Sequence, residues 1–450
     1  MLVLLLISLS SWNASWLFVQ NYSFDARKIA LGGVANAGAG NIAFENVPKK
    51  FDYGSIVIPL GLIQVFKDMD IYDPDKPQFD LVRIIDYAGN PLHYTWNRST
   101  REGKFDFLED IRQGTLSRDL NAYRGFAPRD KYIAEGLLAP NWGHMFKISN
   151  RGDQSYHGIY VGAGPYFAVG TDLNFDQRLI DILGSPQNVT IPQTTFTITD
   201  TSAHQVALAI TGGYRAKFSF ARKSGKPQSE RNGVYLAANY HYLRGFRHDN
   251  IDSDLRIDTG ADGLITVQPA TTPVIIDQLT STSGSGFALD VGLATVMDNC
   301  EFGFSVDGIG NRIKWNNLKR KEFALSSLIA GMEFTDRYLP VAFPSIMVEL
   351  PVRYTGAIAY HWKSWSAMTD LAYGFENFSF HGGFEYRLSR IAFRGGGRYS
   401  RERWQPSGGI GIDLTDRLSV DAAAFAHVTN VEQVREPSLA VSLRINPAKK

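Results

Sequence analysis

Between Tyr354 and Ile445, apolar and polar residues alternate with period two through seven successive segments, separated by little more than turn residues. Side chains along an extended strand point to opposite faces in turn, so each segment reads as a strand with one apolar and one polar face. Phe378, Phe380, Gly382, Phe384 and Tyr386 share one face, and Ser379, His381, Gly383, Glu385 and Arg387 the other. The next segment sets Ile391, Phe393, Gly395, Gly397 and Tyr399 against Ala392, Arg394, Gly396, Arg398 and Ser400. Leu371 and Tyr373 oppose Asp370 and Ala372, Ile412 and Leu414 oppose Gly411 and Asp413, Leu418 and Val420 oppose Ser419 and Asp421, and Leu443 and Ile445 oppose Ser442 and Arg444.

A half-buried soluble sheet gives the same string with its charges turned outward, so alternation alone does not choose between a β-sandwich and a membrane barrel. Three further features favour the barrel. The segments match the 9–11 residues or so that a tilted membrane strand needs. Aromatic residues gather at the ends of the apolar faces, at Tyr360, Trp362, Phe375, Phe378, Tyr386 and Tyr399, where interfacial girdles sit. The opposite faces mix charge with Gly, Ala and Ser, as a hydrated or plugged lumen does. No apolar run reaches the roughly 18 residues of a spanning helix, and a closed barrel is the other way for a chain to satisfy its backbone in lipid.

The expected fold is therefore all-β: a transmembrane antiparallel up-and-down β-barrel of about 14 strands with a partly helical insert. Upstream strands are read at 51–66, 157–169, 204–220, 233–246, 286–296, 301–309, 323–333 and 347–360. The charged stretch 67–140 is read as an external loop or plug insert, with helical spacing at Phe107, Leu108 and Ile111 and at Tyr132, Ile133, Gly136 and Leu137. A short amphipathic helix is expected at 175–183, followed by a Thr-rich strand, and a long hairpin beyond the membrane at 250–285. The turns at 363–365, 388–390 and 415–417 are tight and are assigned to the periplasmic side. Leu2 to Leu9 resembles the apolar core of a signal peptide, taken as residues 1–20, which leaves the barrel at 51–450 with its insert at 67–140. The implied location is the bacterial outer membrane, with membrane lipids as partners.

Composition excludes several chemistries. Lys and Arg number 46 against 45 Asp and Glu, a net charge of +1, so the chain lacks the basic field of a nucleic-acid binder. Cys300 is the single cysteine, which excludes an intramolecular disulfide and a thiolate zinc site. There is no zinc-hydrolase, P-loop, nucleophile-elbow or dinucleotide motif, so the chain reads as a non-enzyme without a cofactor. Asp249, Asp252, Asp254, Asp258 and Asp262 carry oxygens of the kind that bind Ca²⁺, but their spacing fits no EF-hand and they read as a solvated acidic external loop. His381 and His427 fall on inward faces and read as polar lining, with a proton-sensitive site as the sharper alternative. The candidate lumen residues are Asp370, His381, Glu385, Arg387, Arg394, Arg398, Asp413, Asp421 and Arg444, opposite charges that either brace the lumen or attract a substrate.

The segment from Asp25 to Ala35 (DARKIALGGVA) resembles the mature start of the long-chain fatty-acid outer-membrane transporter (FadL-like) superfamily in its broad sense, which includes plasmid-transfer and type nine secretion-associated barrels. Asn46-Val47-Pro48 stands at the place of the Asn-Pro-Ala element of those proteins, and Gly383 to Leu388 and Ser407 to Leu414 are similar to their Gly-rich closing strands. The resemblance implies that residues 21–50 form a small hatch in the lumen, with Arg27, Gly32, Gly33, Asn46 and Pro48 as its candidate residues. It also implies passive transport of small hydrophobic molecules. The competing expectation is a non-transporting barrel that anchors envelope or secretion proteins. Oligomeric state is left open.

Overall fold

The protein is described from a computed structural model covering residues 26–33, 42–43, 56–59, 117–123, 131–139, 142–151, 155–220, 231–267, 270, 272, 274–325, 334–374, 377–400, 403–427 and 436–445. The expected signal peptide, Asn46, Pro48 and the helical spacing at 107–111 lie outside these residues. No helix among them is long and apolar enough to cross a membrane.

Among the described residues, nineteen strands join one antiparallel sheet. In chain order they are β1 (Ile56–Pro59), β2 (Lys131–Leu138), β3 (Trp142–Arg151), β4 (Ser155–Phe175), β5 (Thr195–Phe218), β6 (Gly233–Asp258), β7 (Val274–Ser281), β8 (Ser283–Met297), β9 (Cys300–Asn316), β10 (Lys319–Leu325), β11 (Phe334–Leu339), β12 (Ser345–Glu349), β13 (Arg353–Trp362), β14 (Trp365–Gly374), β15 (Asn377–Leu388), β16 (Ile391–Ser400), β17 (Arg403–Asp413), β18 (Leu418–His427) and β19 (Glu436–Ile445). Fourteen of them form one continuous ladder that runs β3, β4, β5, β6, β8, β9, then β13 through β19, then β1. The other five decorate its upper part. Among the described residues no row of hydrogen bonds joins β1 to β3, the two ends of the ladder.

Rows of paired residues run obliquely to the strand ends. The row that pairs Trp362 with Trp365 at a hairpin tip continues through Tyr386, Phe393, Ile410 and Ala422 to Val441, well inside β19. This steady stagger is what strands tilted around a barrel require. The hairpin tips follow sequence: Lys363 and Ser389 take φ of 49° and 53°, the left-handed conformation of two-residue loops matched to strand twist.

One face of the wall carries exposed apolar groups and the other buried polar ones. Tyr354, Ile358, Tyr360, Trp362, Leu371, Tyr373, Phe378, Phe384, Phe393, Ile410 and Ile412 are exposed, whereas Asp370, Ser379, His381, Glu385, Arg394, Asp421 and Ser442 are buried. A soluble sheet buries the opposite set. An exposed apolar band rimmed by aromatic residues, around a buried charged interior, is the wall of an outer-membrane barrel.

The strands differ in height. β13 to β19 have 10 to 12 residues and end near the bilayer, while β4, β5 and β6 have 21, 24 and 26 and rise beyond it on the side opposite the tight turns. Helix α1 (Ala26–Ala30) lies inside the wall and α2 (Gln177–Leu183) joins β4 to β5 outside, its Asp176 cap accepting a hydrogen bond from the Arg178 amide. Residues 117–123, from within the insert, dock on this external part: the Ile265 amide donates to the Arg118 carbonyl, the Arg118 side chain donates from Nε to the Ile265 carbonyl, and Asn121 bonds both ways with Val189.

Three expectations need correction. The spacing at Tyr132 to Leu137 does not make a helix: Lys131–Leu138 is β2, paired with the outer part of β4 in the register that β3 continues. Its backbone pairs with residues 167–174 of β4, an edge whose hydrogen-bonding groups a helix could not satisfy. The single strand read at 347–360 divides into β12 and β13, which both pair with β9 but one residue out of step, across a segment containing Pro351. Gly308 and Gly310 of β9, at φ 77° and 62°, absorb the same slip. Third, Asp249, Asp252, Asp254 and Asp258 lie on β6 rather than in a loop, and Asp249, Asp254 and Asp258 are held by Arg247, Arg256 and Thr195 respectively.

Candidate functional site

The lumen has two parts of different chemistry. In the half that bears the tight turns, the N-terminal segment lies against the inner wall. Helix α1 is too short to stand alone, and the wall supplies its missing contacts: Ser442 Oγ accepts from the Ala26 amide at 3.1 Å, Ser407 Oγ accepts from the Gly32 amide at 3.1 Å, and Ser407 donates to the Ala30 carbonyl at 3.3 Å. Gly32 ends the helix at φ 71°, a conformation that costs any residue with a Cβ.

Beside it, the inner wall is cut back. A Cβ on Gly383 would stand 2.6 Å from the Leu31 carbonyl oxygen, and one on Gly396 2.5 Å from the Gly32 nitrogen, so these two paired glycines form a seat for the backbone of 31–32. Leu31 then joins Ile42, Ala43, Tyr235, Ala237, Ala294, Val296, Ala357, Ala359 and Met368 in one buried cluster, while Ala26, Ile29 and Ala30 pack on Ala423. The segment thus touches β6 and β8 as well as β15 to β19, walls that are far apart along the ladder. Burying Leu31 and Ile29 contributes about 1.5–3 kcal/mol each.

An ion network fixes the segment. Glu385 accepts from Arg27 Nε at 3.0 Å and Nη2 at 3.1 Å, and from Arg394 Nε at 2.6 Å. Arg394 also donates to Asp421 at 2.6 Å, and Arg444 donates to the other oxygen of Asp421. At its margin Arg387 bonds Asp413 at 3.3 Å, and Ser419 donates to Asp413 at 2.7 Å. Such a chain of buried charges is stable only when every member is paired.

Eight candidate lumen residues and Arg27 therefore meet on the inner face in two groups. Glu385, Arg387, Arg394, Asp413, Asp421 and Arg444 belong to the Arg27 network, whereas His381 pairs with Asp370. Arg398 is buried on the same face beside His381 in the ladder. Gly33 closes α1 through its amide to the Lys28 carbonyl at 2.9 Å. The side chain of His427 lies outside the described residues.

Sequence reading missed the second part of the lumen, on the external side. Tyr166, Ala168, Ala207, Ala209, Leu243, Ala288, Ile313 and Trp315 form a buried inward cluster, with Ile346, Val348 and Leu350 packed on it. Trp315 donates from Nε1 to Gln205 Oε1 at 3.1 Å and stacks on His248 at 5.3 Å. His248 lies beyond the bilayer span of β6, and burial pushes its imidazole down to about 4, so it stays neutral at ordinary pH. The signal was legible in Arg312-Ile313-Lys314-Trp315, where alternation persists with the apolar pair turned inward. Also missed were a polar row, in which His241 contacts Thr211 at 2.8 Å and Asp290 at 2.6 Å, and the pairing of Glu301 with Arg231 and His361 at the periplasmic mouth.

No protein-family model matches the chain, and no curated protein does. Among solved structures, the chain is similar to the Pseudomonas putida toluene transporter TodX, at 12% identity over 71% of this chain and 88% of that one, with a TM-score of 0.33. A Pseudomonas aeruginosa FadL homologue matches at 12% identity over 70% and 87%, TM-score 0.31. A mutant Rh. blastica porin matches at 8% identity over 70% and 99%, TM-score 0.20.

Proposed function

We propose that this outer-membrane barrel admits small hydrophobic molecules from outside and that the N-terminal segment controls their exit toward the periplasm. The observation that supports this reading is the buried apolar cluster around Trp315 and Ile313 on the inner side of the wall, beyond the bilayer and above the N-terminal segment. A water-filled pore for ions or sugars lines its entrance with polar and charged groups instead. Apolar lining with a few oriented polar atoms, here Gln205 Oε1 and the Tyr166 hydroxyl, is the chemistry of a hydrophobic-ligand site. The Arg27 network and the glycine seat hold the exit shut until the segment shifts.

The test is uptake into proteoliposomes, comparing a radiolabelled monoaromatic hydrocarbon with a radiolabelled sugar of similar mass. Hydrocarbon entry should exceed sugar entry, Ile313→Asp should reduce it, and Arg27→Ala should increase it. Sugar entry equal to hydrocarbon entry, or hydrocarbon entry indifferent to Ile313→Asp in a folded barrel, would remove the proposal.

A further inference from the structure

Above the bilayer, the outward face of β6, β8 and β9 carries three cations where the rest of the wall ends in aromatic residues. Arg244, Ser285 and Lys314 are successive cross-strand neighbours, and one row below them Tyr242, Phe287 and Arg312 are neighbours in the same way. Arg244, Arg312 and Lys314 are exposed, and among the described residues none has a carboxylate within salt-bridge distance. Glu349 stands opposite Arg312 on β12 without pairing to it, so the patch remains net positive. With strands about 4.8 Å apart and about 3.4 Å per residue, the backbone positions of the three residues lie within about 12 Å of one another.

Their height is set by the strand. Arg244 follows the periplasmic end of β6 at Gly233, and Arg312 that of β9 at Cys300, by distances that a tilt of about 40° turns into roughly 28–30 Å, just beyond an apolar band of about 25 Å. Directly below, Tyr240, Tyr242, Leu289 and Val291 are exposed for acyl chains, and the Arg312 guanidinium sits 4.8 Å over the Phe287 ring. Cations at headgroup depth over an aromatic and aliphatic face match an anionic lipid by charge and by shape.

The geometry points to a binding site on the external rim of β6, β8 and β9 for a phosphorylated glycolipid of the outer leaflet, its phosphates on Arg244, Arg312 and Lys314 and its acyl chains on the face below. Lipid held there fixes the tall side of the wall, the side that bears the Trp315 cluster on its inner surface. The site stands independently of the transport proposal.

The experiment uses the full chain in detergent, with lipopolysaccharide as the probe, retained glycolipid being counted by native mass spectrometry and by phosphate assay. The wild type should retain it, Arg244→Gln/Arg312→Gln/Lys314→Gln should retain at least about tenfold less, and Arg244→Lys/Arg312→Lys should keep it. A triple variant at the periplasmic turns, Lys363→Gln/Arg390→Gln/Arg417→Gln, should match the wild type. Equal retention by all variants overturns the site, as does an equal loss in the two neutralised triples. Displacement of the glycolipid by millimolar inorganic phosphate alone overturns the lipid assignment. Heat-modifiable mobility on gels confirms that each variant is folded, and Arg312→Gln alone serves if the triple does not fold.

Discussion

Truncating Glu385 to Ala should release the N-terminal segment while leaving the barrel folded. The carboxylate accepts two hydrogen bonds from Arg27 and one from Arg394, and all three side chains are at most 4% exposed. Removing one partner of a buried pair costs about 3–5 kcal/mol, chiefly because the charge left behind is desolvated. Arg394 keeps Asp421, but Arg27 loses its bidentate partner, and its least costly response is to carry α1 out to water. Each 1.4 kcal/mol is a factor of ten, so the undocked population should rise by about two to three and a half orders of magnitude until it saturates. Ile29→Cys in a Cys300→Ser background reports this, since Ile29 is 6% exposed when docked and a soluble maleimide reaches it only on release. Labelling of Ile29→Cys should be slow with Glu385 present and fast with Glu385→Ala. Identical rates, with heat-modifiable mobility unchanged, would refute the idea that the ion network holds the segment.

Three other outcomes follow from the same geometry. Gly396→Val should undock the segment, because its Cβ would strike Leu31 and Gly32, whereas Gly382→Val, whose Cβ meets nothing closer than 3.5 Å, should be tolerated; labelling of the Ile29→Cys reporter compares the two. Phe384→Arg should destabilise by about 2–4 kcal/mol in denaturant titrations if it stands near the bilayer midplane. In the external part, burial pushes the Asp200 carboxyl up to about 8, with Asp172 and Asp252 adding to the rise against the Ser202 hydrogen bond. A raised folded-state pKa means the native state binds the extra proton, so the hairpin of β5 and β6 should lose stability as pH rises from about 4 through about 8. Hydrogen exchange near Asp200 at pH 5 and pH 8 should show this, and Asp200→Asn should abolish it.

How much of this was legible in sequence depended on where the strands meet lipid. In β13 to β19 one face must be apolar and the other small or charged, and period-two spacing assigns each side chain; Phe384 and Glu385 fall on the expected faces. Above the bilayer that rule lapses. There Ile313 and Trp315 turn inward and Arg312 and Lys314 outward, so a reading tuned to lipid-facing aromatics stopped β9 at Ile309 and missed the apolar cluster. Tyr132 to Leu137 misled for a related reason: a short apolar run fits a helix face as well as an edge strand, and the choice is made by the free edge of β4. The charged residues could be named from spacing, but not their pairing. Arg27 and Glu385 are distant in the chain, and only the packing of the N-terminal segment against the inner face of the wall brings them together.

The barrel wall faces lipid on one side and a filled lumen on the other. The most direct test of this is spin labelling at each position from Phe378 to Leu388 in bilayers, with oxygen and a water-soluble nickel chelate as relaxing agents. Collision with oxygen should peak with period two at 378, 380, 382, 384 and 386, and both agents should be weak at 379, 381, 383 and 385. Strong access of the nickel chelate to the positions of Phe380 and Phe384, or no alternation along β15, would contradict a membrane barrel built in this register.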